Sequence, residues 1–171
     1  MEAFESLLDE TLEAWSDVRG GLIEEVENIP DEKFDFRPTP EVRSVAEMVQ
    51  HILEVALMMT GELTRRDTDF RRAPWPELLG LYASHVRQAA GKTELLALLR
   101  SSLAEAEEKF RAAGEVEMFQ FITRFDGRQG TKLAWLHHGI AQEMYHRGQL
   151  VTYARLMGIE PALTRRIQES T

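Results

Sequence analysis

The sequence predicts an all-α protein, a four-helix bundle with one long crossover connection. Three observations carry this expectation. Four long segments repeat apolar residues at three- and four-residue steps, the spacing of one helix face. Start and stop signals bracket several of them. A proline-rich stretch, too extended to be helical, separates the first two.

The first helix is expected from about Phe4 to Glu27, with Leu7, Leu8, Leu12, Trp15, Val18 and Leu22 inward. Pro30, Pro38 and Pro40 then make an extended connector. Ser44-Val45-Ala46-Glu47 reads as a capping box opening helix two. In such a box the Ser hydroxyl accepts from a free amide while the Glu reaches back. Val45, Met48, Val49, Ile52, Val55 and Met59 form its apolar stripe, and the helix should fade between Gly61 and Arg66. A charged loop, Asp67 to Pro76, and a helical segment, Glu77 to Ala90, follow. The next long helix spans about Thr93 to Ala113, with Leu95, Leu96, Leu99, Leu103, Ala106 and Phe110 inward and Gly114 at its end. Met118 to Gly130 carries alternating Phe119, Phe121 and Phe125 and an Asp126-Gly127 turn pair, which suits a short hairpin or an irregular loop. The last helix runs from about Thr131 to Met157, closed by Gly158 and Pro161.

Residues 1–171 are expected to form one domain, long enough to bury a core without staples. The chain has no cysteine, which excludes disulfides, thiolate metal sites and a cysteine nucleophile. Any metal must therefore be held by His, carboxylate or amide oxygen. The formal net charge of −9 opposes binding to a phosphate backbone, so no nucleic-acid partner is expected. The basic pairs Arg65-Arg66, Arg71-Arg72 and Arg165-Arg166 read as solvated charge. No apolar run approaches the ~18 residues of a membrane span. The acidic start Met1 to Glu5 lacks the basic opening of a signal peptide, and a cytoplasmic location is the default expectation.

On the last helix, Trp135, His138, Gln142, His146, Gln149 and Tyr153 fall within an arc of about 80°. Leu133, Leu136, Ile140, Met144 and Val151 form the apolar stripe elsewhere on the wheel. Polar side chains on a buried face need partners. On helix two, His51 lies beside the apolar stripe, with Glu47 and Glu54 one turn away. Facing bundle helices are where metal sites are built. His85, His137 and His138 read as structural, and Trp135 and Tyr153 as packing residues.

The string Ser44-Val45-Ala46-Glu47-Met48-Val49-Gln50-His51 resembles the DinB-like family of four-helix bundles, which includes bacillithiol-transferase-like proteins. So do Glu143-Met144-Tyr145-His146-Arg147-Gly148-Gln149-Leu150, Pro30 and Gly158-Ile159-Glu160-Pro161. The likeness spans nearly the whole chain in the right order, and His-Arg-Gly-Gln is its most specific part. It implies a bundle of DinB-like type with one divalent ion, often nickel or zinc, held by three histidines.

The helix-two ligand position matches His51 and the final one His146, while the middle one falls on Gln142. Gln142 and His146, four residues apart, share a helix face. The Gln oxygen is neutral and harder than imidazole, so it suits zinc or nickel less well. His138 lies two turns from His146, about 12 Å along the axis, too far to share its ion.

The resemblance further implies transfer of a low-molecular-weight thiol to a small electrophile, the thiol coming from a cofactor rather than a cysteine. Glu54 and Glu143 are weak candidates for a base. Glu143 fits a structural ion pair better, with Arg147 expected to pair with a carboxylate and Gly148 to admit a close helix. The competing reading is a non-catalytic stress-response or small-ligand-binding bundle with a degenerate metal site. A homodimer is compatible with the resemblance, though no sequence feature demands one.

Overall fold

The computed structural model describes residues 4–89 and 91–170. Four long helices carry the fold: α1 (Leu7–Asn28), α2 (Val45–Leu63), α4 (Lys92–Ala113) and α6 (Lys132–Leu156). Three shorter ones accompany them: α3 (Trp75–Ala83), α5 (Glu115–Met118) and α7 (Ala162–Glu169). A two-stranded antiparallel hairpin, β1 (Phe121–Thr123) and β2 (Gln129–Thr131), precedes α6. The expected four-helix bundle is the architecture found, and no described helix is long and apolar enough to cross a membrane.

Each of α1 and α2 packs on both α4 and α6, so α1 and α2 stand diagonally opposite. Hydrogen bonds give the directions. Trp15 and Arg19 of α1 reach Glu143 of α6, and Asn28 reaches the carbonyl of Glu160, so α1 and α6 run parallel. Arg19 meets Leu99 and Ser102, while Lys92 meets the carbonyls of Glu27 and Ile29, so α1 and α4 are antiparallel. Gln142 meets His51 and Tyr153 meets Arg43, which makes α2 and α6 antiparallel. The order is thus up-down-down-up. Residues 64–89, containing α3, carry the long crossover from α2 towards its parallel neighbour α4.

The sequence sets α2 in place locally. Ser44 Oγ accepts from the Glu47 amide, and Glu47 accepts from the Ser44 amide, which is the expected capping box. The carbonyls of Phe36 and Phe34 in the proline-rich connector accept from the amides of Val45 and Ala46. All four free amides at this helix start, those of Ser44, Val45, Ala46 and Glu47, are therefore satisfied within the protein. All six residues of the expected α2 stripe are buried.

Several expectations are corrected. Helix α1 starts at Leu7 rather than Phe4, because Ser6 caps it, and Leu7 points outward with 56% exposure. Leu103 is only half-buried. Helix α3 begins at Trp75, since Pro76 suits a first helical turn, and it ends at Ala83 before a 3-10 turn at Val86–Gln88. Ala90, expected in that helix, and Met1 to Ala3 of the acidic start lie outside the described residues. Arg72 is not simply solvated, because it pairs with the buried Glu62. The segment left open around Phe121 is the hairpin, and Gly127 takes φ +78° in its turn.

The deepest polar contact is between α1 and α6. Arg19, fully buried, donates from Nε to Glu143 Oε2 at 2.8 Å and from a terminal nitrogen to Oε1 at 2.5 Å. Its other terminal nitrogen donates to the Leu99 carbonyl and to Ser102 Oγ of α4, and Trp15 Nε1 donates to Glu143 Oε1 at 2.9 Å. Desolvating both charges is costly, so such a pair tolerates replacement as a unit far better than loss of one member. Arg19→Met alone should lower unfolding free energy by about 3–5 kcal/mol in urea titration, because Glu143 is left buried and charged. Adding Glu143→Leu should restore much of that loss. A double variant as unstable as the sum of the singles would contradict this account.

Candidate metal centre on α2 and α6

His51 and His146 come together across the α2–α6 seam. Their ring centroids lie 5.0 Å apart, with the planes 84° to each other. Gln142, one turn before His146, reaches the same point, and its Nε2 donates to His51 Nε2 at 3.2 Å. Since His51 Nε2 accepts here, the proton of this neutral ring sits on Nδ1. His146 Nδ1 lies 2.6 Å from Gln149 Oε1. An amide oxygen only accepts, so His146 Nδ1 carries the proton and Nε2 is left as a free lone pair. A metal-ligating His is commonly fixed in this way, through its far nitrogen.

Gln142 Oε1 is buried and has no hydrogen-bond partner. A buried carbonyl in that state is under-satisfied, and a cation is one group that satisfies it. The three residues thus offer two imidazole nitrogens and one amide oxygen. All are neutral, and they fit a borderline divalent ion in part. Among the described residues no group of three or more His, Asp or Glu could hold a metal, so nothing stands in for the missing third imidazole. His138 is exposed and stacks on Trp135, which takes it out of the set.

The neighbouring carboxylates are committed elsewhere. Glu47 caps α2 and pairs with Arg37. Glu54 pairs with Arg87 at 2.8 Å. Glu143 faces α1, where Arg19 and Trp15 hold it. Glu54 and Glu143 are therefore not free bases, and the expected structural ion pair of Glu143 is made with Arg19 rather than Arg147. The Arg147 guanidinium packs over Gly21 of α1, where a Cβ would meet it at 2.4 Å, and no carboxylate among the described residues pairs with it. The close approach expected at Gly148 is absent, since nothing lies within 4 Å of a Cβ built there. Met144, expected in the apolar stripe, is 56% exposed. The inward face of α6 carries Glu143 and His146, so the wheel turns away from the purely apolar phase.

Sequence reasoning missed Arg43. Tyr153 Oη donates to its carbonyl at 3.1 Å, and the Tyr153 ring packs edge-on to Phe36. The Arg43 guanidinium is exposed, lies within electrostatic reach of both histidines, and has no ion-pair partner among the described residues. Its position directly before the capping Ser44 was the available signal. A cavity of about 430 Å3 lined by Gly61, Tyr82, His85, Ser101 and Glu105 lies on the opposite face of α2 and does not include His51 or His146.

The chain matches a family model described as the DinB family over residues 3–170. Among solved structures it is similar to a DinB-like protein from Bacillus subtilis (21% identity, TM-score 0.66, covering 87% of this chain and 92% of that one). It is also similar to YfiT from Bacillus subtilis, described as a probable metal-dependent hydrolase with an unusual four-helix bundle topology (18% identity, TM-score 0.66, 94% and 95% covered). A third is a mycothiol-dependent maleylpyruvate isomerase (16% identity, TM-score 0.67), of which this chain covers 63% while 88% of this chain is covered. At these identities the likeness is one of fold. No curated protein matches.

Burial pushes the His51 pKa down from the ordinary value near 6.5 to about 4, with help from the charges of Arg43 and His146. Burial also lowers that of His146, partly offset by Gln149. Above pH 6.5 both folded and unfolded rings are neutral and cost nothing. As pH falls from 6.5 towards 4, the unfolded chain binds protons that the folded chain refuses, so stability is lost across that window. Urea midpoints of the metal-free protein should fall between pH 7 and pH 4.5, and His51→Gln should make the fall shallower. Equal slopes in the two proteins would show that His51 is not held neutral by the fold.

Proposed function

The chain belongs to the DinB family, and from that premise we propose that it binds a divalent ion, zinc or nickel, through His51, Gln142 and His146. We further propose that the centre serves transfer of a low-molecular-weight thiol to a small electrophile. The observation that carries the reading is the meeting of His51 and His146 at 5.0 Å, beside a buried amide oxygen that nothing satisfies.

An ion held there would act as a Lewis acid, lowering the pKa of a bound thiol or water. The protein's own groups do the rest. Gln149 fixes the tautomer and ring plane of His146, leaving Nε2 to coordinate. Burial keeps both rings neutral and able to coordinate at neutral pH. With Glu54 and Glu143 engaged, no carboxylate beside the centre is free to take a proton, so an incoming thiol would lose its proton to solvent. The family of the YfiT and isomerase folds supports metal and thiol chemistry as the class to test, and their own activities remain statements about those proteins.

One observation favours the competing reading, a small-ligand-binding bundle with a degenerate centre. The Gln142 amide already occupies the His51 lone pair. An ion must displace that hydrogen bond, which costs on the order of 1 kcal/mol.

Calorimetric zinc titration at fixed pH separates the two. The proposal expects one ion per chain, lost in His51→Ala and in His146→Ala. Gln142→His should tighten binding about tenfold, since imidazole is the better donor to these ions. Wild-type protein that binds no zinc or nickel under these conditions would leave the ligand-binding reading standing instead.

A further inference from the structure

The centre lacks negative charge. Its three candidate donors are neutral, and Glu47, Glu54 and Glu143 are each tied to an arginine on another segment. A divalent ion there would keep its full charge, and the exposed Arg43, within electrostatic reach of both histidines, adds a further cation. This occurs in a chain whose net charge is −9. Each nearby carboxylate is already paired, so the protein supplies no counter-charge to these groups and the position is open to an anionic ligand.

The backbone of Arg43 is also held in place. Its backbone is anchored by Tyr153 Oη, and Tyr153 is itself packed against Phe36 of the connector. Its neighbour Ser44 is locked in the α2 cap. Glu47 lies within the field of Arg43 but is committed to the Ser44 amide and to Arg37. The guanidinium is left with free donors in a planar fork, the geometry that recognises a carboxylate.

We propose that the substrate or co-substrate of this centre is a small carboxylate-bearing ligand. Its anionic donor end meets the His51–Gln142–His146 centre while its carboxylate pairs with Arg43. The assignment rests on the metal reading above for the first contact and on Arg43 alone for the second.

The test uses the full chain in two arms. In the first, zinc-loaded protein is titrated with 3-mercaptopropionate and with its neutral methyl ester, zinc stoichiometry being measured separately. The acid should bind at least about tenfold tighter than the ester, a modest return for one charge-assisted pair. Arg43→Gln should abolish that preference, Arg43→Lys should restore part of it, and zinc content should stay unchanged in both. Equal binding of acid and ester by the wild type, or a preference that survives in Arg43→Gln, overturns the proposal. In the second arm, metal-free protein is titrated with succinate and with dimethyl succinate, following the ring protons of His51 and His146 by NMR. Shifts with succinate that disappear in Arg43→Gln support the carboxylate subsite even if zinc fails to bind. Absence of shifts in the wild type counts against it whatever the metal result.

Discussion

The bundle is organised around one buried guanidinium. Arg19 of α1 bonds Glu143 of α6 and the Leu99 carbonyl and Ser102 hydroxyl of α4, so three of the four long helices meet at a single charged group. Apolar packing tolerates small rotations of a helix, whereas a bidentate ion pair with further hydrogen bonds does not. Pinning Glu143 towards α1 fixes the rotation of α6. At about 100° per residue, Gln142 and His146 then lie roughly 60° to 100° to one side of Glu143. In a bundle where α6 touches both α1 and α2, that side is the α2 side. The position of the candidate centre follows from an ion pair that takes no part in it.

The second fixed point is the start of α2. Its amides are satisfied by the cap and by two carbonyls of the preceding connector. Beyond a 3-10 turn at Asp31–Lys33 the connector's prolines keep it out of helix, so the carbonyls of Phe34 and Phe36 are free to accept from the α2 start. His51 is thereby set two turns into a helix whose register has little freedom. Tyr153, close to the end of α6, ties the far side of the seam to Arg43. The seam is held at the Arg43 end by this bond and in the middle by Gln142 and His51.

The parts legible in the sequence are those that local rules decide. The α2 cap, the glycines ending α4 and α6, and the apolar stripes of α2 and α4 all follow from neighbours within a few residues. The meeting of His51 and His146 was legible through motif resemblance together with their positions on the two helix wheels. What escaped was non-local. Helix α7 is polar and short, and its start is satisfied by Glu25 of α1, which accepts from the amides of Ala162 and Leu163. Arg19 and Glu25 look like surface charge by type, yet both are buried: Arg19 belongs to the core series Leu12, Trp15, Arg19, Leu22, Val26, and Glu25 lies beside Val26. Met144 was misplaced for the converse reason, since α6 buries Glu143 and His146 where a simple wheel expects apolar residues.

In the proposed centre the third donor is an amide, which is as neutral as imidazole but a weaker donor to zinc or nickel. With Gln142 in that position, an ion must break the amide–imidazole hydrogen bond and remain without an anionic partner from the protein. An anion approaching Arg43 alone meets a single exposed guanidinium, and exposed pairs contribute little. On the proposed reading each ligand is held more weakly without the other, and each supplies the charge that the other lacks. Under linkage such a coupling is reciprocal: whatever factor the anion adds to metal affinity, the metal adds to anion affinity. On this reasoning the proposed centre, with the amide of Gln142 as its weaker third donor, would be filled most readily when an anionic ligand binds together with the ion.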